Sequence, residues 1–430
     1  WHPFAPQIKL HVRGRISPED ARRQEQTARE ILLRLAQQPG VVLADEVGMG
    51  KTFVALAVAA SVALSDQGRP VVVMVPPSLR KKWQRDFEVF CHECLKDDAT
   101  TTGEKSNPTA HFKVFRRECL KGDAGQRLSA ASAQRGLEFL KLLDAPPSRR
   151  KSIIFLTHGA LHAGLGRGTV GGWVKLALIQ RALRHRKNLH RLKEKLHRRL
   201  GDVLEMGGIE RRLPNVWEKL LAAPCSAWLG ILQISGINPA GDDSRATDDD
   251  PVPAAVARTL ERFDRGRLES VLDALHQIPM RSSTSYYERL VQARRSLNDA
   301  LAELWRECLR NLRLRLPLLI LDEAHHLKNA QTRLASLFQV PDAEADADEF
   351  AERGPLGGVF ERMLFLTATP FQLGHHELCA VLERFEGICW GEQCAPPAGR
   401  DSFKKQMAEL RQRLDAAQEA ALCFDAAWGK

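Results

Sequence analysis

Asp45-Glu46-Val47-Gly48-Met49-Gly50-Lys51-Thr52 stands between a short apolar run, Val41 to Ala44, and a longer apolar stretch, Lys51 to Leu64. The run has the character of a buried strand and the stretch that of a buried helix. A glycine-bearing turn in that context lets backbone N–H groups close around phosphates at a helix N-terminus, which favours anions. Gly48 and Gly50 shape the turn, Lys51 is placed for the β- and γ-phosphates, and the Thr52 hydroxyl is placed for Mg2+. The general phosphate-loop pattern carries Gly where this chain has Asp45. A bare Gly-x-Gly-Lys-Thr also occurs in core turns; the strand before it and the helix after it favour the phosphate reading.

The pattern extends outward from this point. Ser17 to Leu35 reads as an amphipathic helix, broken by Gln38-Pro39-Gly40. Val71 to Val75 is a second strand, closed by Pro76-Pro77 and followed by an amphipathic helix over Ser78 to Leu95. Ser152 to Leu156, Leu318 to Leu321 and Met363 to Leu366 are further strand candidates. Strand–helix alternation with uniformly apolar strands predicts an α/β fold, a parallel sheet with helices on both faces. In such sheets ligands meet the carboxyl ends of the strands.

Two more motifs follow strands. In Leu318-Leu319-Ile320-Leu321-Asp322-Glu323-Ala324-His325, four apolar residues deliver two carboxylates to a strand end. Asp322 suits Mg2+ and Glu323 suits orientation of an attacking water. Leu366-Thr367-Ala368-Thr369-Pro370 places two hydroxyls after the next strand, where Thr367 and Thr369 can link the nucleotide site, through His325, to a neighbouring surface. Such strand ends are ordinary alone; their order after Asp-Glu-Ala-His gives them weight.

The 430 residues, 44% hydrophobic and 27% charged, suit a globular protein of two to three domains. A formal charge of +10 favours an anionic partner. Nine cysteines at irregular spacing argue against a disulfide framework and for a reducing compartment, the cytoplasm by default. No secretory signal or membrane-spanning run is evident, and the chain opens on Trp1, as expected of a piece of something longer. Four segments are expected: 1–160 and 316–395 form the sheet lobe, 161–315 a large, mostly helical basic insertion, and 396–430 a C-terminal helix or linker. Helical patterns in the insertion cover Gly172 to Met206, Val256 to Leu275 and Ser285 to Leu314, and Gly241 to Pro253 reads as an acidic loop. Lys175 to Arg199 holds ten Lys or Arg against Glu194 alone. Arg184, Lys187 and Arg191 in that stripe suit phosphate contacts; a merely solvated helix face fits equally. Cys91-His92-Glu93-Cys94 has the spacing of half a zinc site but falls on the apolar side of a helix. His325-His326 and His375-His376 are poor metal candidates, and Trp173, Trp217, Trp228 and Trp305 read as core.

The three motifs together resemble the first, RecA-like motor lobe of superfamily-two helicases with a DEAD/DEAH-type box. The form "DEVGMGKT" resembles the Swi/Snf-type branch of double-stranded DNA translocases, and "LTATPFQL" resembles its bacterial members, among them the RNA-polymerase-recycling ATPase and the motor of the DISARM phage-defence system. The resemblance covers Arg22 to about Leu95, Ile153 to His158 and Leu318 to about Leu373. It implies ATP and Mg2+ as cofactors, with Lys51, Asp322 and Glu323 catalytic. It also implies an adenine-reading glutamine, Gln24 or Gln26, and backbone contacts to nucleic acid from Pro76, Ser78, Lys82, Thr157 and His158. A complete motor has a second lobe that supplies arginines in a Gln-x-x-Gly-Arg-x-x-Arg motif, for which this chain has no match. One lobe of a DNA-dependent ATPase is therefore expected, with duplex DNA as partner and the second lobe supplied elsewhere. The alternatives are an RNA helicase lobe of the same superfamily, or an ATP-gated module whose insertion recruits a protein.

Overall fold

The computed structural model describes residues 1–12, 14, 16–45, 48–66, 68–95, 119–122, 126–146, 148–161, 169–184, 190–206, 215–238, 250–279, 284–312, 314–327, 334, 337–338, 356–368 and 375–428. The acidic loop expected over 241–253 falls outside them except for residues 250–253. The chain divides into two compact units. One holds residues 1–134, 145–160 and 314–430; the other holds 135–144 and 161–313. Residues 135–144, which sequence alone left with the sheet, belong to the second unit.

The first unit is built on one six-stranded sheet. Its strands are β1 (Gly40–Ala44), β2 (Val71–Val75), β5 (Ala130–Ala133), β6 (Ile153–Thr157), β7 (Leu316–Leu321) and β8 (Phe360–Thr367). A separate antiparallel pair is formed by β3 (Cys119–Gly122) and β4 (Gln126–Leu128). The spatial order is β1-β8-β7-β2-β6-β5, and every pairing is parallel. β2, β6 and β7 are buried along their whole length, as strands covered on both faces must be. This is the RecA-like α/β arrangement expected from the motifs.

α1 (Pro18–Gln37) starts where Ser17 Oγ accepts the Asp20 N–H at 3.0 Å, with Pro18 in the first turn and Glu19 and Asp20 favouring the positive helix end. Its buried side is Ala21, Gln24, Ala28, Ile31, Leu32 and Leu35. α2 (Lys51–Ser65) is buried from Val54 to Ala63, which small Ala and Val side chains permit. α3 (Arg80–Glu93) turns Trp83, Phe87, Phe90 and Cys91 into the core. Cys94 follows it as a buried free thiol, pushed up to about 12 by burial. Cys91 and Cys94 are both fully buried, which suits side chains of the core.

The second unit is helical: α4 (Gly136–Leu143), α5 (Thr169–Arg184), α6 (His190–Leu204), α7 (Val216–Ala222), α8 (Trp228–Ile234), α9 (Ala254–Leu260), α10 (Arg265–His276) and α11 (Thr284–Leu312). The single helix expected from Val256 to Leu275 is two, because Asp264 caps α10 by accepting the Gly266 N–H at 3.1 Å. Trp173, Trp217, Trp228 and Trp305 are all buried here. The Trp228 indole donates to the Leu220 carbonyl at 2.8 Å.

The first unit ends in α12 (His375–Glu383) and α13 (Gly399–Trp428). Among the described residues, no helix is long and apolar enough to cross a membrane.

Candidate nucleotide and nucleic-acid site

Strand register puts the motifs side by side. Ala44 at the end of β1 is level with Thr367 on β8, Leu321 on β7 is level with Phe365 on β8 and Met74 on β2, and Val75 is level with Thr157 on β6. Neighbouring strands lie about 4.8 Å apart, so the end of β7 is displaced from that of β1 by about 10 Å. That distance is comparable to the reach of a nucleotide's phosphate chain with its cation.

On β1's side, Gly48 and Gly50 take left-handed backbone angles, φ +93° and +85°. A Cβ at Gly50 would sit 2.1 Å from Gln24 Nε2. Glycine is needed there for conformation and for space. Gln24 is buried and its Nε2 donates to the Met49 carbonyl at 3.4 Å, whereas Gln26 is exposed on the same helix. Of the two glutamines, only Gln24 lies against the loop. Lys51 Nζ bonds the Asp45 carbonyl, and the Asp45 N–H reaches the Thr367 carbonyl at 3.4 Å. The carboxylate of Asp45, where the general pattern has glycine, lies 3.7 Å from Arg23. Thr52 sits in the first turn of α2 and is half-buried.

At the end of β7 the Asp322 N–H continues the ladder to the Met74 carbonyl at 2.9 Å. Two N–H donors orient its carboxylate: the Trp83 indole to Oδ2 at 2.7 Å and the Glu323 backbone to Oδ1 at 3.0 Å. Burial pushes the Asp322 carboxyl above the usual range, against the pull of the Trp83 bond. Glu323 holds φ +56°, a left-handed conformation uncommon outside glycine. Strain of this kind, of order 1 kcal/mol or more, clusters at functional positions. Glu323 Oε2 lies 3.2 Å from His325 Nδ1, an ion pair when that ring is protonated. His325 stacks near His326, with centroids 4.2 Å apart. Thr367 is buried at the end of β8; Thr369 lies outside the described residues.

The residues expected to touch nucleic acid separate. Ser78 and Lys82 are exposed after β2, with Pro76 half-buried beside them. Thr157 is 6% exposed, because the last residue of an interior strand packs into the sheet, so its side chain does not reach the surface. His158 is held to about 4, first by burial and then by the neighbouring His326. In the second unit Arg184 is exposed. Lys187 and the side chain of Arg191 lie outside the description. Other members of the basic stripe are engaged internally. Arg181 Nε donates to the Leu260 carbonyl at 3.1 Å, Arg199 pairs with Asp202 and covers the Tyr286 ring, and Lys175 is buried. Trp83 was missed as a site residue. It lies in the amphipathic helix expected over Ser78 to Leu95, where a tryptophan reads as core, and an indole N–H in core needs an acceptor.

A family model described as the SNF2-related domain matches residues 24–122, beginning at Gln24 itself. The N-terminal region is an SNF2-related domain. No curated protein matches the chain. SNF2-related domains belong to ATP-hydrolysing motor proteins, so the coarse chemistry of this region is that of a motor ATPase.

The donor set suits a magnesium–nucleotide pair. An ammonium group and a hydroxyl lie in the first turn of α2, where Gly50 leaves no room for a side chain, and an oriented carboxylate closes β7, two strands away from β1.

Proposed function

We propose that this chain is the ATP-binding lobe of a Swi/Snf-like, DNA-dependent motor that moves along duplex DNA, with a second lobe supplying the arginines that complete the site. The observation that supports it best is the sheet order β1-β8-β7-β2, which aligns Lys51, Thr367, Asp322 and the exposed Ser78–Lys82 segment along one edge. Gln24 reads the adenine, with the loop's N–H groups on the phosphates. Thr52 and Asp322 would hold Mg2+, which when bound would supply positive charge beside the phosphates. Glu323 orients the attacking water, with His325 Nδ1 3.2 Å from its carboxylate. Lys82 and Ser78 contact DNA backbone. Trp83, on the same helix as Lys82, carries any shift of α3 to Asp322.

The test is ATP turnover with duplex DNA, RNA or no nucleic acid, beside Lys51→Ala and Glu323→Gln. Duplex-stimulated turnover that both variants abolish supports the motor. Stimulation by RNA alone moves the assignment to an RNA helicase lobe. Nucleotide binding without turnover, restored by an arginine-bearing second lobe, identifies a half-site, since an arginine finger contributes about 10³–10⁵ in rate.

A further inference from the structure

α13 runs for 30 residues without one buried side chain. From Phe403 to Trp428 its apolar residues recur at alternating steps of four and three: Phe403, Met407, Leu410, Leu414, Ala417, Ala421, Phe424 and Trp428. Such spacing averages about 3.5 and keeps one stripe facing a partner helix along its whole length. The surroundings of this stripe change half-way. Residues 403, 407, 410 and 414 are half-buried, with the Phe403 and Trp390 ring centroids 5.8 Å apart. Arg400 bonds Glu386 at 2.7 Å and Arg411 bonds Glu383 at 2.5 Å, tying this half to the first unit. From Ala416 to Trp428 every residue is exposed. Phe424 and Trp428, 62% and 81% exposed, stack on each other at 5.5 Å. Two large aromatic side chains at that exposure mark an interaction surface.

We propose that the stripe is the interface of an antiparallel dimer, and that a second copy of this chain covers it. Turned end for end, the stripe coincides with itself. Trp428 then faces the second copy's Phe403, Phe424 faces Met407, Ala421 faces Leu410 and Ala417 faces Leu414. Each alanine meets a leucine and the methionine meets an aromatic ring, so the sizes complement. The charges agree. Residues 399–413 carry five Lys or Arg and two Asp or Glu, a net +3; residues 414–428 carry three Asp or Glu and no Lys or Arg, a net −3. Antiparallel pairing sets each positive half on a negative half, whereas parallel pairing sets like on like. Asp425 flanks the stripe on the side where Lys404 of the second copy arrives. Lys404 is half-neutralised within its own chain by Glu386 at 3.0 Å, which leaves it two further hydrogens to share. An unrelated helix could match the spacing. The reversal symmetry of both size and charge is specific to a second copy. The overlap of 26 residues, 403 to 428, spans about 39 Å.

The test is the mass of the full chain by light scattering and sedimentation over a dilution series. Twice the 48.1 kDa chain mass, falling on dilution, is expected. Phe424→Glu and Trp428→Glu should each give a folded monomer, since both side chains are exposed within the single chain. Asp425→Lys should weaken association roughly tenfold, and adding Lys404→Glu should restore it. A monomer at every concentration overturns the proposal, as does a dimer that survives Phe424→Glu. A dimer lost in Phe424→Glu but indifferent to the charge reversals overturns the antiparallel register.

Discussion

Trp83→Phe removes one hydrogen-bond donor from the end of β7 and little else. The indole N–H lies 2.7 Å from Asp322 Oδ2, and Trp83 is 1% exposed, so the donor reaches the carboxylate from inside the core. Phenylalanine keeps most of the ring that meets Phe155, whose centroid is 6.3 Å away. A hydrogen bond to an ionised acceptor contributes about 1.5–3 kcal/mol. Without it the Asp322 carboxyl, already raised by burial, moves further up. Partners that orient a metal-holding carboxylate are each worth roughly 10- to 100-fold in metal affinity. The expected result is a loss of that size in the magnesium dependence of ATP-analogue binding. Because the carboxyl's pKa rises, the loss should be greatest in acid and shrink as pH is raised. The smaller ring also costs about 1–2 kcal/mol of folding stability, measured separately by urea unfolding. A variant with the wild-type magnesium dependence at every pH would refute the reasoning, however much its stability fell.

Gly50→Ala forces a Cβ onto Gln24 and a left-handed angle onto alanine, costing about 1 kcal/mol or more in backbone strain alone. Nucleotide affinity should drop sharply in a binding titration, and Gln24→Ala combined with it should lose less than the two single losses added. His158 is held neutral, at about 4 against an ordinary 6.5. The unfolded chain therefore takes up that proton first, so stability is intact above pH 6.5 and falls toward pH 4, by about 3 kcal/mol at most. Urea unfolding of His158→Asn across that range should lack this part of the slope. Glu323→Gln should retain nucleotide binding and lose turnover, by an order of about 10² or more, in a single-turnover assay.

The sheet was largely legible because buried parallel strands are uniformly apolar. β2, as Val-Val-Val-Met-Val, is readable to the residue. β5 is not, since Ala-Ala-Ser-Ala has neither branched side chains nor a long apolar run, and only pairing with β6 makes it a strand. α12 and the break between α9 and α10 depend on tertiary contacts and on the cap at Asp264. In the candidate site, residue types and order singled out Lys51, Thr52, Asp322 and Glu323. Spacing left Gln24 and Gln26 open, because both fall on α1; burial against Gly50 separates them. The basic stripe was the least legible feature. Charge counts treat every Lys and Arg alike, and only packing shows Lys175 inside the helical unit and Arg181 bonded to carbonyls.

All of the helical unit but α4 enters the chain between β6 and β7, two parallel strands separated in the sheet by β2. A parallel connection must travel from the far end of one strand back to the near end of the other, and needs a dozen or more residues in any case. Enlarging a path that long adds little closure entropy, since each doubling costs only about 0.6 kcal/mol. The crossover is thus a tolerant port in the topology, where a lineage can exchange one appended body for another without retuning strand register. Replacing residues 161–313 with a short helical crossover, and 135–144 with a polar linker, should leave a sheet that still folds and still binds nucleotide.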